Sequence, residues 1–213
     1  LTEGMVHWKS ALDVNGNESE KVLLYAYLNS FYEKGFTNPI DEAICSYRTF
    51  DLSDYQKLDE EPYDFVRKRL SILVSKDNAH LMITKGALQN VLAVCSKAEN
   101  SSGVIVDIAG LRELIQRRFE ELSSQGLRTI GVACRDIGSA SQITKDHEAD
   151  MTFLGFLVLF DPVKSGIVET ITELRSLGIS LKVITGDNRL VAAHLSQQVG
   201  LSNTRILTGP DLR

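Results

Sequence analysis

The sequence predicts an α/β protein in two parts: an antiparallel sheet flanked by helices, then a segment with the alternating grammar of a parallel sheet. Three observations carry this. Arg69–Lys76 and His80–Thr84 are strand-like runs joined by the turn residues Lys76-Asp77-Asn78, a hairpin pattern. Several flanking stretches repeat apolar residues at three- and four-residue steps, as helices do. After Phe160 the order becomes helix, strand, helix and short strand, which implies parallel pairing. At 213 residues the chain is long enough for one large domain or two smaller ones.

Met5 to Leu12 reads as a strand, and Asp13 to Ser19 as a polar loop around the turn signal Asn15-Gly16. Ser19 is placed to cap a helix to about Lys34, because Val22, Leu24, Tyr25, Ala26, Leu28 and Phe31 recur at helical steps and Gly35 follows as a stop. Asn38-Pro39 announces a second helix, with Asp41 and Glu42 where the helix dipole favours carboxylates, ending near Phe50. Asp51 to Pro62 is expected to be a connector leading into the hairpin. Gly86-Ala87 is expected to start a helix to about Cys95, followed by a loop over Ser96 to Gly103. Leu111, Leu114, Ile115, Phe119 and Leu122 then form a helical stripe that Gly126 ends. Leu127 to Arg135 reads as a strand, Asp136 to Asp150 shows no periodicity, and Phe153 to Phe160 reads as a buried strand. Beyond it come a helix from Gly166 to Ser176 stopped by Gly178, a strand Ile179 to Ile184, the loop Thr185-Gly186-Asp187-Asn188, a helix Arg189 to Val199, and a short strand at Arg205-Ile206-Leu207.

Composition narrows the function. With 23 basic and 28 acidic side chains the net charge is −5, which disfavours nucleic acid or anionic lipid as a partner for the whole chain. Three scattered cysteines, Cys45, Cys95 and Cys134, form neither a C-x-x-C nor a zinc pattern and fit a reducing compartment. The longest apolar run falls far short of the roughly 18 to 20 residues of a spanning helix. The opening Leu1-Thr2-Glu3-Gly4 and the close at Gly209-Pro210-Asp211-Leu212-Arg213 read as the ends of a piece of a longer protein.

The common glycine-rich phosphate cradles, Walker A and G-x-G-x-x-G, are absent. Asp13-Val14-Asn15-Gly16-Asn17 starts like a calcium loop, but Glu18 and Leu24 occupy the positions of its glycine and closing glutamate. Three other places carry chemistry. Lys85-Gly86-Ala87, at a strand–helix junction, offers a positive charge beside backbone that a ligand can approach, or else a surface lysine before a turn. Phe65-Val66-Arg67-Lys68-Arg69 sets an aromatic face beside three cations, suited to a nucleotide, although a charge-protected strand edge has the same composition. Thr185-Gly186-Asp187 follows a predicted parallel strand, the position where open α/β sheets bind ligands, although an aspartate there also serves as a helix cap.

Together these residues carry a resemblance. Leu1-Thr2-Glu3-Gly4, Asn38-Pro39-Ile40-Asp41, Tyr63-Asp64-Phe65-Val66-Arg67-Lys68-Arg69-Leu70-Ser71, Lys85-Gly86-Ala87, Gly126-Leu127-Arg128, Asp161-Pro162 and Thr185-Gly186-Asp187 follow, in order, the cytosolic motifs of P-type cation-transporting ATPases. The block around Phe65 with Asn38-Pro39-Ile40-Asp41 most resembles the magnesium-transporting subgroup. In that family an ATP-binding N domain is inserted into a Rossmann-like P domain of the haloacid-dehalogenase type. The resemblance implies the end of the phosphorylation motif at residues 1–3, the N domain at 4–160, and a hinge and partial P domain at 161–213.

It also implies ATP and Mg2+ as cofactors. Phe65 would stack on adenine, with Lys85, Gly86 and Asp41 lining the same pocket and Arg67 and Arg128 holding the phosphates. Thr185, Gly186 and Asp187 would set the γ-phosphate and its magnesium for in-line attack. Asp161 and Pro162 would form the hinge; Val163 and Lys164 depart from the family's D-P-P-R, and lysine loses the bidentate guanidinium fork. No metal ligand is assigned within the chain itself. The phosphorylated aspartate of D-K-T-G-T-L-T would lie just before Leu1, so these residues are expected to bind ATP weakly, as a monomer, without turnover. The expected partners are the transmembrane and actuator domains of a parent protein, on the cytoplasmic face of a membrane. Two alternatives accompany this reading: a haloacid-dehalogenase-type phosphohydrolase with a large cap, and a non-catalytic nucleotide-sensing or docking module.

Overall fold

The structure is a computed structural model that describes residues 1–34, 38–201 and 205–212. The expected helix stop at Gly35 lies outside the described residues. Eight strands form one sheet: β1 (His7–Leu12), β2 (Gln56–Asp64), β3 (Arg69–Lys76), β4 (Ala79–Ala87), β5 (Cys95–Glu99), β6 (Ile105–Asp107), β7 (Arg128–Asp136) and β8 (Met151–Phe160). Their order is β2-β3-β4-β7-β8-β5-β6. The far edge of β8 is shared, with β5 pairing in parallel along its first residues and β1 antiparallel along its last. All other pairs are antiparallel. β8 is therefore the spine, and its apolar run is buried from Met151 to Leu159.

Both faces of the sheet are covered. Helices α1 (Glu20–Tyr32) and α2 (Pro39–Tyr47) pack on one side, where Ala26, Leu28 and Ile44 meet Leu70, Ile72, Val74, Ile83, Val132, Leu154 and Leu157. Helices α3 (Leu88–Leu92) and α4 (Arg112–Ser124) cover the other, where Val91, Ile115 and Leu122 meet Leu73, Met82, Ala133, Phe153 and Phe156. Strand alternation explains the division, since neighbouring residues such as Ile72 and Leu73 point to opposite faces. The caps read from sequence are present: the Ser19 hydroxyl accepts from the Val22 amide, and the Asn38 side chain from those of Ile40 and Asp41.

Four expectations are corrected. The charged stretch taken as a connector contains β2, an edge strand whose ladder is completed by β3. The stretch taken as a loop after Cys95 begins with β5, which the exposed edge of β8 recruits. Gly86 and Ala87 belong to β4, opposite Gly131 and Ile130 of β7, and the helix behind them is shorter than expected. Residues 179–184 and 205–207 pair with no strand among the described residues, so the expected parallel ladder is absent from them. A strand exists only with a hydrogen-bonded neighbour, and the last third here contributes helices α5 (Ile167–Ser176) and α6 (Arg189–Gln198).

Residues 1–4 return to lie against 161–164. The Glu3 amide donates to the Pro162 carbonyl, the Lys164 amide to that of Leu1, and Thr2 bridges Val163. Leu1 and Val163 join Ile167, Ile171, Val199 and Leu201 in a small apolar cluster distinct from those on the sheet.

Candidate functional site

One end of the sheet gathers the sequence-predicted residues. The turn at 64–68 enters β3 there, Gly86 and Ala87 close β4, Arg128 opens β7, and Phe160-Asp161 closes β8. The turn is fastened to β4 by the Arg69–Gly86 pair and by the Ala87 amide, which donates to the Lys68 carbonyl at 2.9 Å. Gly86 is required by space: a Cβ there would stand 2.4 Å from the Lys68 carbonyl oxygen and 2.5 Å from the Arg69 Cβ. The turn is shaped by Asp64, whose carboxylate accepts from the amides of Val66 and Arg67. The Arg67 amide bond in particular holds that carboxyl below its usual range. Phe65 rides on this turn with 86% of its surface exposed, edge-on to Tyr63.

Lys85 lies inside. It points to the α1/α2 face, where its ammonium donates to Ser30 Oγ at 2.9 Å and to Asp41 Oδ1, with Glu33 Oε2 3.6 Å away. Ser30 also donates to Asp41, and Asn38 to the second Asp41 oxygen. Glu33 is the most weakly partnered member. Its Oε2 has no hydrogen-bond partner among the described residues, and burial pushes its carboxyl up to about 7, with Asp41 acting in the same sense and Lys85 against. Lys85 and Asp41 are thus brought together as expected, but as a buried ion pair.

Arg128 projects from the same face as Lys85, four residues along β7 from Val132, the residue opposite Lys85. At about 3.3 Å per residue that separates them by roughly 13 Å. Arg128 Nε lies 2.9 Å from Asp187 Oδ1 and its NH2 3.2 Å from Oδ2, with Asp161 Oδ2 at 3.5 Å. The Thr185 hydroxyl donates to the same aspartate and accepts from its amide, while Gly186 has open space where a side chain would be. The end of the sheet thereby touches the loop before α6. Asn188, which caps that helix, also donates to Ser123 of α4, and Gly126 lies against the His194 ring. The Gly4 amide donates to Asp161, so the expected hinge residue ties the two crossing segments together.

Arg67 faces the opposite way. Its two terminal nitrogens donate to Glu148 Oε1 and Oε2 at 2.7 and 2.6 Å, to Glu61 Oε1 at 3.1 Å and to the Pro62 carbonyl at 2.7 Å. Four acceptors thus match the four N–H groups of those nitrogens, leaving them saturated within the protein. Ser30, Glu33 and Glu148 were not singled out from the sequence. Ser30 and Glu33 sit on the predicted α1, three residues apart and so on one face, a signal that gains meaning only once Lys85 is beside them. Glu148 falls in the aperiodic stretch and carries no local signal.

The residues present fit a nucleotide. An exposed aromatic ring, a polar pocket wall and a phosphate-capable guanidinium stand along one end of the sheet. Among the described residues, no group of three or more His, Cys, Asp and Glu side chains is arranged to hold a metal ion.

A mixed sheet covered by helices thus brings an aromatic ring, a lysine and an arginine toward one end. Comparison with known proteins gives the family: residues 8–166 match the model described as P-type ATPase, cytoplasmic domain N. The chain belongs to the P-type ATPases. It is 34% identical over its whole length to "Magnesium-transporting ATPase, P-type 1" of Escherichia coli K12 and 32% identical to the protein of that name from Salmonella typhimurium LT2, covering 24% of each. It is 29% identical to "Calcium-transporting ATPase PAT1" of Dictyostelium discoideum over 66% of the chain and 13% of that protein. The chain thus spans about a quarter of the length of the magnesium-transporting relatives. Among the described residues no helix is long and apolar enough to cross a membrane.

Proposed function

We propose that this chain binds ATP at the Phe65–Arg128 end of its sheet, as the nucleotide-binding part of an ATPase that moves a cation, magnesium, across a membrane through an aspartyl-phosphate. The observation that carries the reading is the register that aligns the Phe65 turn, Gly86 and Arg128 at one end of three adjacent strands. The base stacks on Phe65, with Gly86, Lys85 and Asp41 behind it. Arg128 receives the phosphates after exchanging Asp187 for them. Thr185, Gly186 and Asp187 then serve the γ-phosphate and its magnesium, and Arg67 acts in this reading through the turn.

Residues 4–160 make up the nucleotide-binding unit, and 1–3 with 161–213 the hinge and part of the phosphorylation unit. The crossing of residues 1–4 with 161–164 and their separate apolar cluster support this division. The parent's membrane and actuator domains are the expected partners, at the cytoplasmic face, with the chain itself monomeric. These 213 residues contain no D-K-T-G-T-L-T motif, so by themselves they bind ATP without turnover.

Affinity is expected to be modest. Stacking contributes about 1 to 3 kcal/mol and each charged hydrogen bond about 1.5 to 3, against several kcal/mol of association cost. A dissociation constant near 1 mM corresponds to about 4 kcal/mol. Titration of isotope-labelled protein with ATP, followed by backbone amide shifts, is the test. Saturable shifts at 64–68, 85–87 and 128 are expected and should weaken in Phe65→Ala. Equal binding by folded Phe65→Ala and Lys85→Ala variants would overturn the assignment.

A further inference from the structure

Glu148 is the buried charge on the face of the sheet opposite Lys85. Its side chain has 0% exposure. Three donor atoms make four hydrogen bonds to its two oxygens: Arg67 NH1 to both, Arg69 Nε to Oε2 at 2.8 Å, and Ser71 Oγ to Oε1 at 2.7 Å. Ser71 is in turn 2.6 Å from Thr84 Oγ1, which joins β3 to β4 on that face. Arg69 reaches on to the Asn90 carbonyl of α3. The carboxylate is thus tied to both sides of the point where the exposed turn enters the sheet. It stands three residues before β8, so it links the spine of the fold to a turn about 80 residues away in sequence.

A buried carboxylate held by two guanidinium groups is rigid, because each broken contact would leave an unpaired charge out of water. Phe65 and Val66 have no comparable support, being 86% and 85% exposed. Backbone bonds to Asp64 shape their turn and the Ala87–Lys68 bond joins its end to β4, while from within the turn Arg67 runs back to Glu148 and Glu61. We infer that Glu148 is a positioning residue for nucleotide binding: through Arg67 and Arg69 it holds the Phe65 turn in the pose that receives the base. This rests on the reading of Phe65 as the stacking residue.

The test is a double-mutant cycle of Glu148→Gln and Phe65→Ala, with ATP and adenosine affinities measured for each folded variant by amide-shift titration. Glutamine keeps the shape but removes the charge that both arginines need. Expected is a loss of about tenfold for Glu148→Gln, equal for ATP and adenosine, since about 1.4 kcal/mol of stacking is a factor of ten. That loss should vanish in the Phe65→Ala background, because a residue acting through Phe65 has nothing left to position. Altered amide shifts at 64–68 in the unliganded variant should accompany it.

Additive losses, or unchanged binding in folded Glu148→Gln, would overturn the inference. So would tighter ATP binding with adenosine unchanged, which would mean that Glu148 withholds Arg67 from the phosphates. If Glu148→Gln does not fold, Ser71→Ala removes one neutral donor and keeps both arginines. A smaller loss, again absent with Phe65→Ala, is then expected, and an unchanged or additive effect refutes the role. Should Phe65→Ala alone bind as the parent does, the nucleotide assignment fails, and that outcome is separate from a failure of Glu148.

Discussion

Replacing Gly86 by alanine tests the join between the turn and the sheet. The added methyl would meet the Lys68 carbonyl oxygen at 2.4 Å, the Arg69 Cβ at 2.5 Å and the Arg69 Cα at 2.6 Å. Two of these are backbone atoms and the third is fixed to one, so no rotamer change relieves the contact. β3 and the turn must move. Overpacking of this kind costs about 1 to 3 kcal/mol, and loss of the Ala87–Lys68 hydrogen bond, 2.9 Å long in the parent, adds about 1 kcal/mol. With a urea dependence of about 2 to 3 kcal/mol per molar for a chain of this size, the unfolding midpoint should fall by roughly 1 M. Gly131, directly opposite on β7, is the control. Its nearest neighbours are the Val91 Cβ at 3.2 Å and the Leu88 Cδ1 at 3.3 Å, contacts that a small shift relieves, so Gly131→Ala should shift the midpoint much less. ATP binding should weaken in Gly86→Ala because the Phe65 turn is displaced. An unchanged midpoint with unchanged ATP binding would refute the close approach and, with it, the fastening of the turn.

Other consequences are as direct. Glu33, raised to about 7 chiefly by burial, holds in the folded chain a proton that the unfolded chain releases near 4.5. Stability should therefore fall as pH rises from about 4.5 to about 7, with a slope of at most about 1.4 kcal/mol per pH unit from this group; Glu33→Gln should remove that slope in urea unfolding at about pH 5 and about pH 7.5. Arg128→Ala breaks the contacts to Asp187 and Asp161, and hydrogen exchange over 187–198 should quicken while β3 and β4 keep their protection. Since Arg128 is about a third exposed, its effect on global stability should stay near 1 kcal/mol. Phe153→Ala in the fully buried spine should cost about 3 to 5 kcal/mol, read from the same unfolding midpoints.

Much of the fold was legible because it is written locally. β3 runs over Arg69–Lys76 as its strand-like run before the turn Lys76-Asp77-Asn78 predicts, α2 starts at Pro39 behind its Asn38 cap, and β8 follows from its apolar run. The strands that were missed have no such pattern. β2 is charged along most of its length because it forms a sheet edge, and β5 is a five-residue strand with exposed Ser96 and Lys97. Each exists because a neighbouring strand completes its hydrogen bonds. The strands expected after Gly178 show the reverse: Ile184 is 99% exposed, and apolar composition alone made no ladder.

The site divides along the same line. Residue types pointed to Phe65, Lys85 and Asp187, because a nucleotide calls for an aromatic face, cations and a phosphate-facing loop, and the family resemblance added Asp41, Arg128 and Asp161. Which of these groups are free and which are paired came only from the tertiary structure. Lys85 is enclosed by Ser30, Asp41 and Glu33, and Arg67 by Glu148 and Glu61. Periodicity and capping depend on residues within a few positions of one another, so the sequence alone determines them. The partner of a buried charge is chosen by strand register and by which face of the sheet a side chain occupies, and both arise from pairings between residues tens of positions apart.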